Sequence, residues 1–130
     1  MGAARKPILC LDFDGVIHSY RSRWTTPLEI NDPPTDGFFD FLIAAQDANY
    51  EVVISSSRLS HTGAEDAIRS WFWRWAPNFL DVDDFYRIDD IRFSAEKPPA
   101  MVTLDDRAMT FDGTWPEIVE LKNFRPWNRP

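Results

Sequence analysis

Two pairs of carboxylates stand where an apolar run gives way to polar chain. Ile8-Leu9-Cys10-Leu11 ends on Asp12-Phe13-Asp14-Gly15, and Met101-Val102-Thr103-Leu104 ends on Asp105-Asp106-Arg107. Neighbouring carboxylates repel one another, and at the rim of a core they are costly to desolvate, so four of them together need a cation. An all-oxygen donor set suits a hard ion, and magnesium is the commonest partner of carboxylates beside a phosphate. Either pair alone reads equally well as a turn or a helix cap. Two pairs at the ends of two strands favour a site. Between them lie Ser55-Ser56-Ser57-Arg58, directly after Glu51-Val52-Val53-Ile54, and Lys97 precedes the last apolar run. The Arg58 guanidinium has the fork geometry to hold a phosphate through two hydrogen bonds, and it serves equally well as a surface arginine capping a loop.

These groups have to be carried to one place by the chain. Continuous apolar runs such as 8–11 suit strands covered on both faces, as in a parallel sheet, and Glu51–Ser55 and Met101–Leu104 read the same way. Thr35-Asp36 opens a helix whose stripe is Phe38, Phe39, Leu42, Ile43 and Ala45. Thr62-Gly63-Ala64-Glu65 matches a capping box, and Ala67, Ile68, Trp71, Phe72 and Trp75 give the helical stripe behind it. Pro77 ends that helix, residues 81–92 read as acidic turns, and Asp112-Gly113 signals a hairpin. Residues 16–34 lack a clean period and read as a long loop or flap, with a hairpin as the alternative. Strand, helix, strand, helix, strand is the order of a doubly wound α/β fold with a parallel sheet, in which ligands gather beyond the carboxyl ends of the strands. Asp12, Asp14, Ser55, Ser56, Asp105 and Asp106 all fall at such ends.

Composition narrows the classes further. The 130 residues suit one domain, 1–130, with 16–34 as flap and 114–130 as a tail on or near the core. A net charge of -7 disfavours extended nucleic-acid binding, while one phosphate can still be held locally. The single Cys10 cannot form an internal disulfide, and no apolar stretch approaches the roughly 20 residues that cross a bilayer, so the expectation is a cytoplasmic protein with no membrane contact. His18 and His61 read as solvated loop residues and Arg107 as structural. Trp71, Phe72 and Trp75 read as core, with Trp73 off that face. Lys122, Arg125, Trp127 and Arg129 make a basic, aromatic tail that suits either a nucleic-acid end or packing on the domain.

Taken in order, Asp12-Phe13-Asp14-Gly15-Val16, Ser56 after Val52-Val53-Ile54, Lys97 and Asp105-Asp106 resemble the four motifs of the haloacid-dehalogenase-like (HAD) phosphatases, over residues 8 to 107. The resemblance implies a HAD-like Rossmannoid core and a magnesium-dependent phosphomonoester hydrolase. Asp12 would be the nucleophile that forms an aspartyl-phosphate, and Asp14 the acid and then the base. Ser56 would bond the transferring phosphoryl group, with Ser55 and Ser57 leaving the register open by one residue, and Lys97 would neutralise charge. Asp12, the Asp14 backbone carbonyl, Asp105 and Asp106 would hold Mg2+. The stretch from Ser57 to Lys97 is too short for a large cap, which leaves only the flap. Ser55-Ser56-Ser57-Arg58 and Asp105-Asp106-Arg107 are similar to the motifs of phage and bacterial HAD proteins of nucleic-acid end repair. The substrate expected is therefore a phosphorylated small molecule, above all a nucleotide, or a nucleic-acid terminal phosphate. A phosphotransferase of the same fold and a catalytically silent metal- or phosphate-binding module are the alternatives.

Overall fold

A computed structural model describes residues 6–22, 25–96, 102–104 (backbone only) and 114–119. Its frame is a parallel sheet whose strands are β1 (Ile8–Asp12), β2 (Glu51–Ser55), β3 (Arg92–Ser94) and β4 (Val102–Leu104), in the order β3-β2-β1-β4. Leu9, Cys10 and Leu11 have no solvent exposure at all, which is the burial on both faces that their unbroken apolar run demands. The chain moves outward from β1 to β2 to β3 and then returns to the far side of β1. The strand direction of growth therefore reverses at β1, the strand that carries Asp12.

The connections are helical. α1 (Phe38–Asp47) buries Phe38, Phe39, Phe41, Leu42 and Ala45, and α2 (Ala64–Trp75) buries Ala64, Ile68, Trp71 and Phe72. Trp75 is only half-buried, and Trp73 is exposed. A short α3 (Tyr86–Asp89) precedes β3. The protein is thus a mixed α/β fold on a small parallel sheet. An aromatic stack fills the space between sheet and helices, with Phe13, Phe38, Trp71 and Phe72 in mutual edge or stacked contact. Trp115 stacks on Phe41 at 4.6 Å between ring centres, so residues 114–119 lie against α1.

Several local expectations are corrected. Neither helix is capped by a side chain: each starts from a glycine, Gly37 or Gly63, held at φ 85°. Only glycine takes that left-handed conformation without strain, so it fixes the helix starts where Thr35-Asp36 and the Thr62–Glu65 box were expected to. The Thr35 hydroxyl donates to the Val16 carbonyl instead, tying α1 to the loop after β1. The stretch 81–92, read as turns, contains α3 and ends in the edge strand β3. At three residues β3 is too short to show a period. The hairpin expected at Asp112-Gly113 and the basic tail from Lys122 lie outside the described residues. Among the described residues no helix is long and apolar enough to cross a membrane.

Candidate functional site

β1 ends at Asp12, and the chain then makes one tight helical turn. The amides of Val16, Ile17 and His18 all donate to the Phe13 carbonyl, and the Gly15 amide donates to His18 O, with Gly15 at φ 82°. This turn folds His18 back over Asp14, four residues earlier. The next strand brings its own carboxyl end alongside: Asp12 pairs in register with Ser55, and Ser55 with Ser94. Asp12, Ser55 and Ser94 therefore form a row along one rim of the sheet.

Asp14 is the centre of a clamp. The Arg58 guanidinium grips it side-on, Nε donating to Oδ2 at 2.9 Å and Nη2 to Oδ1 at 3.0 Å. His18 Nδ1 bonds Oδ1 at 2.8 Å from the other side. The His18 Nε2 accepts from the Asp32 backbone amide at 3.1 Å, so that nitrogen carries a lone pair and Nδ1 supplies the proton to Asp14. Arg58 has no solvent exposure. Its Nη1 donates to the carbonyls of Thr26, Pro27 and Glu29, at 3.1, 3.0 and 2.9 Å. One side chain thus joins the carboxylate after β1, the loop after β2 and the flap.

The flap is anchored on a second side too. The Ser19 amide donates to Pro33 O and the Thr35 amide to Ile17 O, which closes the neck of the 16–34 loop. Asp32 accepts from the Ser22 amide at 2.7 Å and the Ser22 hydroxyl at 2.8 Å. The Trp71 indole, fully buried in α2, donates to Asp32 O at 2.8 Å. A loop without regular secondary structure is therefore held by its own hydrogen bonds and by those from Arg58 and Trp71.

These contacts set the charges. Burial pushes the Asp14 carboxyl up, but the bonds from His18 and Arg58 together outweigh it and hold the group below the ordinary carboxylate value. Asp32 is also lowered, chiefly by the Ser22 amide, against opposing burial.

The expected site residues fall into three groups. Asp12, Asp14, Ser55 and Ser56 come together at the rim. The Ser56 hydroxyl accepts from the Arg58 amide at 3.2 Å as the cap of a short 3-10 turn, Ser57–Ser60, and keeps its own proton to donate. Ser57 is exposed, and its carbonyl accepts from the Ser60 hydroxyl. Arg58, weighed as a phosphate ligand, faces inward: its fork is occupied by Asp14, and it has no surface to offer a ligand. Lys97, Asp105 and Asp106 lie outside the described residues. β4 ends with Leu104 paired to Leu11, so the described part of that strand stops one register position short of Asp12.

His18 is the main correction: expected to be solvated, it is 1% exposed and bonded at both ring nitrogens. The signal for it was the four-residue spacing from Asp14, which is readable only if the intervening turn is helical. His61 is exposed, as expected. Asp32 and the flap carbonyls have no sequence signature at all.

No protein-family model matches the chain, and no curated protein or solved structure matches it either.

The clamp makes two measurable demands. Arg58→Ala strips a buried partner from Asp14 and from three carbonyls, and should lower unfolding free energy by about 3 kcal/mol in urea titrations. Asp14→Asn in the same chain should recover part of that loss, because the uncompensated charge is removed with it. A cost below about 1 kcal/mol would show that the pair does not hold the fold. The lowered carboxyls fix a pH dependence. A group lowered on folding adds stability that is fully present above its unfolded value, about 3.9, and is lost as pH falls through its folded value. Thermal unfolding should therefore be nearly flat just above pH 5 for these groups and fall steeply below pH 4, and Asp32→Asn should flatten the acid limb.

Proposed function

We propose that the chain is a magnesium-dependent phosphomonoester hydrolase acting through an aspartyl-phosphate on Asp12, within a doubly wound HAD-like core. The observation that carries this reading is the placement of Asp12, Asp14, Ser55 and Ser56 at the carboxyl ends of β1 and β2, at the strand where the sheet order reverses. That is where open α/β sheets bind ligands.

The donor chemistry at the rim suits a hard cation in part. The Asp12 carboxylate and the Asp14 backbone carbonyl are oxygen donors two residues apart, while the Asp14 carboxylate is taken up by the clamp. Among the described residues no group of three or more His, Cys, Asp or Glu is placed to hold an ion. Asp105 and Asp106 would have to complete the set. When bound, Mg2+ would offset the carboxylate charge and polarise phosphoryl oxygens.

The steps assigned to the chain's own residues are these. An Asp12 carboxylate oxygen attacks phosphorus and the ester P–O bond breaks, its electron pair leaving with the alcohol oxygen, which takes a proton from Asp14. Water then attacks phosphorus and the bond to Asp12 breaks, restoring the carboxylate. The water proton passes to Asp14, and inorganic phosphate is released. Ser56 donates its hydroxyl proton to a phosphoryl oxygen. Lys97 neutralises the anionic centre. Arg58 and His18 act through Asp14 and hold its carboxylate in one orientation.

Asp12→Asn should keep the circular dichroism spectrum and unfolding midpoint while turnover drops by several orders of magnitude, as when a covalent step is removed. Retention of more than a few per cent of activity on any good substrate would refute the nucleophile. Exhaustive chelation should likewise abolish turnover, and added Mg2+ should restore it. Full activity in chelator would remove the cation from the reaction.

A further inference from the structure

One strip of the surface keeps large apolar groups in water. After α2 the chain passes Phe79 and Val82 and enters α3 at Tyr86, and these three are 54%, 74% and 54% exposed. The Asp84 amide donates to Asp81 O, Phe85 to Val82 O and Asp90 to Tyr86 O, so 81–90 is coiled and Val82 and Tyr86 stand about one turn apart. The Phe79 ring lies on Phe39, in the first turn of α1, and the Arg87 guanidinium lies over the Tyr86 ring, each at 5.2 Å. Arg87 Nη2 also bonds Asp47, the last residue of α1. The strip therefore runs beside α1 from its first turn to its last. Apolar residues exposed singly need no partner, but three within one short stretch mark a contact surface.

The strip is also acidic. Residues 76–90 hold five aspartates against one arginine. That arginine, Arg87, is buried and bonded to Asp84 and Asp47, so the exposed Asp81, Asp83, Asp89 and Asp90 leave an excess of negative charge. A complementary occupant is basic and carries apolar side chains.

This chain contains such a segment. Residues 120–130, outside the described residues, carry Lys122, Arg125 and Arg129 against the single Glu120, interleaved with Leu121, Phe124 and Trp127. The segment also starts close by. Trp115 packs on Phe41 and Phe38 at 4.6 and 5.8 Å, Phe38 meets Phe39 at 5.1 Å, and Phe39 carries Phe79. Val119, the last described residue, is exposed. From there eleven residues reach up to about 36 Å, against the roughly 15 Å length of α1.

We propose that residues 120–130 dock on the Phe79, Val82 and Tyr86 strip of their own chain, Phe124 and Trp127 covering the apolar side chains and the basic residues facing the aspartates. Attachment to the same chain gives the segment an effective concentration of about millimolar, so individually weak contacts suffice. The inference stands apart from the phosphohydrolase reading. It assigns the basic, aromatic tail to packing on the domain rather than to a nucleic-acid end.

Amide hydrogen exchange of the 130-residue chain, read by mass spectrometry over 120–130 and compared with a synthetic peptide of that sequence, measures the docking. Exchange should be about tenfold slower in the chain than in the peptide. Asp81→Lys with Asp83→Lys should bring it within about twofold of the peptide, while the β1 and β2 amides stay slow and so report an intact fold. Adding Lys122→Glu and Arg125→Glu to that variant should restore the protection, because the reversed charges attract again. Carbodiimide cross-linking of a mixture of 15N-labelled and unlabelled chains should join Lys122 to the strip aspartates within one chain. Links between labelled and unlabelled chains would put a second copy's tail on the strip and overturn docking in the same chain. Tail amides that exchange at the peptide's rate, that are slowed only after an oligonucleotide is added, or that stay slow in the Asp81→Lys, Asp83→Lys variant would overturn it as well.

Discussion

Burying a guanidinium is costly unless it is paired and hydrogen-bonded, and the rest of the site is arranged around meeting that cost. Arg58 leaves water completely and donates hydrogen bonds twice to one carboxylate and three times to flap carbonyls. A buried ion pair has no large net stability of its own, because desolvation offsets most of the attraction, yet removing either partner leaves the other stranded. Its value here is specificity of arrangement. Only one placement of the flap puts Thr26, Pro27 and Glu29 carbonyls around one nitrogen, and only one turn after β1 puts Asp14 against the other two. The clamp thereby converts three sequence-distant segments into one rigid corner.

His18 extends the same logic inward. Its ring stacks on Phe13 and meets Trp71 edge-on, so an apolar wall fixes its plane. The Asp32 amide fixes which nitrogen is the acceptor, and the Trp71 indole holds Asp32 in place. A chain of contacts therefore runs from the buried face of α2, through the flap, to the Asp14 carboxylate. Phe13 and Trp71 thus serve as packing that positions a polar group.

How much of this was legible follows from range. The central strands were readable because burial on both faces forces an unbroken apolar run, and residues 8–11 and 52–54 show it. The α2 stripe at Ile68, Trp71 and Phe72 was readable because helical burial leaves a period. β3 left no trace at three residues, and its pairing with β2 joins residues 39 apart in sequence. The helix starts misled for a different reason: threonine and glycine both signal a beginning, and φ 85° at Gly37 and Gly63 takes precedence over the side-chain cap. Asp12 and Asp14 were legible as local motif chemistry. The partners of Asp14 were not, because Arg58 is 44 residues away and its direction, inward rather than toward a ligand, is set by the flap carbonyls it meets. His18 was missed because a lone histidine in an aperiodic loop carries no pattern until the turn at Phe13 is known.

The clamp also makes the two roles proposed for Asp14 unequal. Held by Arg58 and His18 below the ordinary carboxylate range, the group rests ionised at neutral pH. That is the form that accepts a proton from water in the second half of a covalent hydrolysis. To give a proton in the first half it must first gain one against two donors that already occupy both oxygens. A leaving group that departs as a stable anion asks little of this step, whereas an alkoxide asks for the full proton transfer. The geometry that gives Asp14 its orientation is thus the same geometry that opposes its protonation. The fixed orientation and the easy base step both depend on Arg58 remaining dry, which the flap ensures by closing over it with its own backbone.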